Sequence, residues 1–150
     1  MSFFDPYDGH LRTGIATPQQ LLCPGYRKGQ TPDLARMDHR TYQAICQLAD
    51  ELNVEIDFHY QEGDKKTMGQ DLANVTTGIT LVSWEHPAIP TIAKPIAPGA
   101  DIPPTWPDRF DMVWSFVSAG SGYDFTQIPQ MLLPGGRRAA DQRRGRSGRR

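Results

Sequence analysis

The sequence predicts an α/β domain whose sheet is mixed and mostly parallel. Segments with helical apolar spacing alternate with strand-like segments through the middle of the chain, and two strand-like segments follow each other near its end. The 150 residues are enough for one domain with one hydrophobic core. We find no internal repeat that would indicate a solenoid or a propeller.

Local signals predict the elements of the first half in turn. Threonine followed by proline at 31–32 is a helix start signal, and apolar side chains then recur at spacings of three and four up to Leu52, before Asn53. "VEIDFHY" alternates apolar and polar residues, as a strand with one covered face does. The predicted elements are one or two helical turns at 17–22, a helix at 31–52 and a strand at 54–60, with residues 1–30 otherwise irregular.

The second half contains the most apolar strand signal. "ITLVSW" is apolar enough for a central strand that is buried on both faces. Seven prolines from Pro87 to Pro107 predict that much of 95–107 is loop, and Pro129 moves the last strand to an edge or a bend. The predicted elements are a short helix at 65–74, a strand at 79–84, a short helix at 88–97, and strands at 110–117 and 123–133.

Charge divides the chain into an acidic body and a basic tail. Residues 137–150 hold seven arginines and one aspartate, a net charge of +6, so that residues 1–136 carry −7 within a total of −1. The tail has no apolar periodicity, which predicts disorder. It either binds nucleic acid or another polyanion or is a solvated extension, and the acidic body offers nucleic acid no second surface.

Composition excludes several classes of protein. No apolar run approaches the roughly 20 residues of a membrane helix, and the N-terminus resembles no signal peptide, so a cytoplasmic protein without membrane contact is expected. Cys23 and Cys46 lack metal-ligand spacing and are expected to be free thiols. The four histidines form no HxH or HxxxH pair, and neither a metal nor a cofactor is expected.

His86 is the candidate functional residue that the pattern itself indicates. It directly follows the predicted central strand and precedes a predicted helix, and ligands of α/β sheets bind beyond the carboxyl ends of the strands. An imidazole there can donate a hydrogen bond to a phosphate or carry a proton. Alternatively, His86 only satisfies a buried carbonyl at the strand end.

Longer stretches of the sequence are similar to a known family. "ITLVSWEHPAIPTIAK", "PPTWPDRFDMVWSF" and "QIPQMLLPGG" resemble the histidine phosphatase superfamily, and "HRTYQAICQLADELN" at 39–53 resembles its second motif. The resemblance covers residues 1–136. It implies a phosphoglycerate mutase-like three-layer sandwich, hydrolysis of phosphomonoesters through a phosphohistidine, and a small phosphorylated molecule or phosphate as the partner.

The resemblance also implies roles for individual residues. Arg40 matches the family's helix arginine and His86 its second histidine, and both would surround the phosphoryl oxygens. Glu62 is a candidate for the carboxylate that supplies the leaving-group proton, although no motif fixes it.

One element of the family's chemistry is missing from the sequence. The nucleophilic histidine belongs to an Arg-His-Gly motif, and this chain contains none. The resemblance therefore implies a domain that lacks its first strand, an inactive protein or fragment, and unpaired sheet edges that a second copy could cover. The alternatives are a non-catalytic phosphate-binding or anion-binding module and a polyanion binder that acts through the arginine-rich tail.

Overall fold

The computed structural model describes residues 16–25 and 40–130. Its strands and helices, in chain order, are β1 (Gln20–Leu22), α1 (Arg40–Leu52), β2 (Ile56–Asp57), α2 (Lys65–Ala73), β3 (Thr80–Val82), α3 (Ile89–Ile96), β4 (Met112–Ala119) and β5 (Gly122–Pro129). Two short 3-10 helices, Glu62–Asp64 and His86–Ala88, lead directly into α2 and α3.

The strands form a small parallel sheet and a separate antiparallel pair. The parallel sheet has the order β2-β1-β3, and Leu21 of β1 lies opposite both Ile56 and Leu81. In the hairpin, Met112 of β4 lies opposite Pro129 of β5. The predicted α/β class is confirmed. The predicted single mixed sheet is not observed in the described residues, because the parallel strands and the antiparallel pair form two separate sheets.

β1 supplies side chains to both faces of the parallel sheet. Successive side chains of a strand point to opposite faces, so Leu21 and Cys23 lie on one face and Leu22 lies on the other. The first face packs against α1 through Ile45, Leu48 and Ala49. The second face packs against α2 through Met68, against α3 through Ile92, and against the 3-10 helix before α3 through Ala88.

α1 follows the predicted periodicity and ends where the sequence indicates. Tyr42, Ile45 and Leu52 turn one apolar face toward the sheet, as predicted. Asn53 has a φ of 52°, in the left-handed region, after which the chain leaves the helix. The N–H of Val54 then donates to the carbonyl of Ala49 at 3.0 Å, and that of Asn53 to Asp50 at 3.2 Å. This bond pattern is a Schellman motif, which satisfies carbonyls at the helix end.

Two strand predictions are wrong. The segment predicted as helical turns at 17–22 contains β1, because a three-residue apolar stretch is too short for periodicity to separate a helix from a strand. β3 is not the central strand: among the described strands it pairs with β1 alone, and its three residues are only half-buried. β1 occupies the centre instead.

The remaining elements follow the sequence with adjusted bounds. The helices predicted at 65–74 and 88–97 are confirmed as α2 and α3, and the two last strands form the hairpin of β4 and β5. The strand predicted at 54–60 shrinks to Ile56–Asp57. Cys23 and Cys46 are free thiols, as predicted. The helix start at 31–39, the strand end at 131–133 and the arginine-rich tail lie outside the described residues.

The contact between α2 and α3 is close enough to require glycine at one position. Gly69 of α2 is buried, and a Cβ placed on it would collide with the backbone oxygen of Ile92 and meet the ring of Pro95. Gly69→Ala is therefore expected to lower the free energy of unfolding by about 1–3 kcal/mol, despite the higher helix propensity of alanine. Urea denaturation measures this change.

Gly63 provides the matched control for this substitution. A Cβ on Gly63 meets nothing within 4 Å, so Gly63→Ala is expected to leave the urea midpoint nearly unchanged. Equal midpoints for Gly69→Ala and the wild type would show that α2 and α3 do not approach each other this closely.

Candidate functional site

The carboxyl ends of the three parallel strands form one edge of the sheet. The chain leaves β1 for β2 on one side and later returns to β3 on the other side, so the strand order reverses at β1. Ligands of open α/β sheets bind in the crevice that such a reversal creates, beyond the carboxyl ends of the two diverging strands. Here that crevice lies between the ends of β1 and β3.

Thr41 connects both sides of this crevice to α1. The Ser83 hydroxyl, one residue beyond β3, donates to the Thr41 backbone carbonyl at 2.8 Å. The Cys23 thiol, one residue beyond β1, donates to the Thr41 hydroxyl at 3.3 Å. Thr41 is only 8% exposed, so these bonds form away from water, where breaking them costs most. The first turn of α1 is thereby fixed at the crevice.

The predicted site residues Arg40 and His86 lie on the two sides of the crevice. Arg40 is exposed and is the first residue of α1, adjacent to Thr41. His86 is half-buried, three residues after Ser83, at the start of the 3-10 helix that leads into α3. Arg40 and His86 therefore follow the carboxyl ends of neighbouring strands, and their role in binding a phosphate stays a prediction.

Two aromatic rings orient the His86 imidazole. The Trp106 ring is stacked on it with centroids 5.3 Å apart and an interplanar angle of 12°, and the Phe110 ring lies at 5.3 Å with an angle of 41°. Within residues 16–25 and 40–130 we find no hydrogen bond to the imidazole nitrogens. The contacts leave those nitrogens available for a ligand.

Glu62 begins the 3-10 helix that follows β2, and it is half-buried there. β2 and β3 lie on opposite sides of β1. The segment before Glu62 returns toward β1, because the N–H of Gly25 donates to the carbonyl of Tyr60 at 2.6 Å. The role of Glu62 as a proton donor stays a prediction.

The buried thiol beside Thr41 is structural rather than reactive. Burial raises the pKa of Cys23 to about 11, and the hydrogen bond with Thr41 opposes that rise. The thiol is only 1% exposed. Because the thiolate is the nucleophilic form, Cys23 is not a nucleophile near neutral pH.

The sequence analysis missed Thr41, Ser83 and Cys23 as parts of the site. Their contacts join residues 18 and 42 positions apart, and no local pattern predicts which side chains meet across that distance. The position of Cys23 at a strand end would have been visible only if β1 had been predicted as a strand.

The described part of the chain shows no metal site and no membrane helix. No group of three or more His, Cys, Asp or Glu side chains within it could hold a metal ion. None of its helices is both long and apolar enough to cross a bilayer.

Comparison with known proteins does not assign this chain to a family. No protein-family model matches the sequence, and no curated protein or solved structure matches it significantly. The resemblance to histidine phosphatases therefore stays a prediction.

The two cysteines give a direct check on the site's packing. Iodoacetamide at pH 8 is expected to alkylate Cys46, which is half-buried on α1, well before Cys23. A pKa two units above that of an ordinary thiol lowers the thiolate fraction about 100-fold, and burial slows access further. Peptide mass spectrometry during the reaction measures both rates.

Unfolding in urea should abolish the difference between the two thiols. Rapid alkylation of Cys23 in the native protein would show that the ends of β1 and α1 are not packed as described.

Proposed function

We propose that this chain binds a phosphate group in the crevice between β1 and β3, through Arg40 and His86, without hydrolysing it. The connection of Ser83 and Cys23 to Thr41 carries this proposal, because it holds the start of α1 against the ends of both strands. A permanent guanidinium charge and an imidazole donor on two sides of one crevice suit a multiply charged oxyanion.

We further propose that the domain descends from the histidine phosphatase superfamily. The sequence resemblance supports this, and so do the helices packed on both faces of a parallel sheet and the place of His86 at a strand's carboxyl end. A phosphoglycerate mutase-like three-layer sandwich is the finer form of this proposal.

Three features oppose hydrolysis by this chain. The sequence contains no Arg-His-Gly motif, and β3 is hydrogen-bonded directly to β1 along its whole length, from Gln20 opposite Thr80 to Leu22 opposite Val82. No other strand lies between them. The thiol at the crevice is protonated and buried, so it offers no substitute nucleophile.

Inorganic phosphate should stabilise the folded protein. With a Kd of about 1 mM, 10 mM phosphate adds about 1.4 kcal/mol to the free energy of unfolding and raises Tm by about 3–5 °C. Differential scanning fluorimetry measures this rise against sodium chloride of equal ionic strength. Arg40→Ala and His86→Ala should each remove most of it.

Lys94→Ala is the matched control for the loss of a positive charge. Lys94 is exposed in the last turn of α3, away from the 3-10 helix that carries His86, so its removal should preserve the phosphate effect. The same Tm rise in Arg40→Ala as in the wild type would contradict the proposed site.

Phosphoester hydrolysis should be absent. With p-nitrophenyl phosphate as substrate, release of p-nitrophenol by the wild-type chain is expected to equal that by His86→Ala, because the sequence lacks the Arg-His-Gly histidine that forms the covalent intermediate in the family. Turnover by the wild type that disappears in His86→Ala would show instead that this chain is an active phosphatase.

A further inference from the structure

Four rings form a continuous wall that begins at the proposed phosphate site. We call His86, Trp106, Phe110 and Trp114 the aromatic wall. Trp106 contacts both His86 and Trp114, the latter with ring centroids 4.9 Å apart. Phe125 of β5 supports Trp114 from behind, edge to face at 5.3 Å. The wall therefore extends from His86 to the hairpin.

Phe110 lies on a loop that several hydrogen bonds hold in place. The Trp106 indole N–H donates to the Arg109 carbonyl at 3.0 Å, and the Arg109 guanidinium donates twice to the Asp111 carboxylate, at 2.5 and 2.7 Å. The N–H of Gln130 donates to the Asp111 carbonyl at 2.7 Å, which joins the loop to the end of β5.

The Phe110 side chain is unusually exposed for a phenylalanine. Phe110 is 89% exposed, more than any other large hydrophobic side chain in the described part of the chain. Exposing a phenyl ring on a loop held by several hydrogen bonds forfeits the stabilisation that burial would give. Apolar groups presented in this way commonly mark binding surfaces.

A cavity lies in front of the aromatic wall. Its volume is about 630 Å³ and all four wall residues line it, which is the size of a small-molecule site. Ile89 and Ile92 of α3 contribute to its apolar lining, and Ser83 and Gln130 are among its polar side chains. It also reaches Ala44, in the turn of α1 that follows Arg40, so the cavity adjoins the proposed phosphate site.

We propose that the ligand is an aromatic phosphate monoester, whose ring lies on the aromatic wall while its phosphate lies between Arg40 and His86. The inference rests on the proposed phosphate site, because His86 belongs to both surfaces. Aromatic rings bind one another by offset stacking and edge-to-face contact, with centroids 4.5–7 Å apart. A flat aromatic group can stack on the rings of the aromatic wall, whereas a polar or branched substituent cannot.

Isothermal titration with three phosphates tests the ring requirement. 1-Naphthyl phosphate should bind about 10-fold more tightly than glycerol 2-phosphate or inorganic phosphate. In Phe110→Ala this ratio should fall to about 2-fold or less, and Phe110→Tyr, which keeps a ring, should restore it. Since Phe110 is exposed, neither substitution removes a buried side chain.

Ile128→Ala controls for the loss of apolar surface in the hairpin. Ile128 is half-buried on β5, opposite Val113, and it belongs neither to the aromatic wall nor to the lining of the cavity. This variant should keep the 10-fold ratio. A ratio that falls equally in Ile128→Ala and Phe110→Ala would overturn the assignment of the ring to the wall.

The outcomes separate this inference from the phosphate site itself. Equal affinities for 1-naphthyl phosphate and glycerol 2-phosphate, both weakened by Arg40→Ala, would overturn the aromatic ligand and keep phosphate binding. Binding of 1-naphthol as tight as that of 1-naphthyl phosphate, with no effect of Arg40→Ala, would overturn both. Tight naphthyl phosphate binding that depends on both Phe110 and Arg40 supports both.

Discussion

The fold depends on three residues at its centre. β1 spans only Gln20–Leu22, yet it hydrogen-bonds to both other parallel strands and contributes to both hydrophobic clusters. Leu21 and Leu22 are 0% and 2% exposed. Because β1 is the point at which strand order reverses, the packing that stabilises the sheet also opens the crevice at its carboxyl edge. β1 therefore determines both the stability of the sheet and the position of the candidate site.

The long periodic helix of this fold was predictable from the sequence, and its short central strand was not. The spacing of Tyr42, Ile45 and Leu52 predicted α1 because one helix face is buried along its length. β1 carried no comparable signal, since "QLLC" is compatible with either a helix or a strand. The apolar run at 79–84 was misread as central because an edge strand beside a large apolar cavity needs the same composition as a buried one.

The candidate site was predictable as a location but not as a set of contacts. The rule that ligands bind beyond strand ends pointed to His86, which does follow the carboxyl end of β3, even though the centre of the sheet had been assigned to the wrong strand. The connection through Thr41 and the stacking of Trp106 on His86 arise from tertiary packing. Glu62, chosen without a motif, follows the outer strand β2.

The central claim is that the crevice between β1 and β3 is the place where phosphate binds. The most direct measurement is a phosphate titration of the ¹⁵N-labelled protein followed by two-dimensional amide NMR. The account predicts saturable shifts confined to the amides of residues 22–25, 40–44 and 83–88, where the two strand ends and the start of α1 meet. Shifts confined to residues 137–150, or none at all, would contradict it.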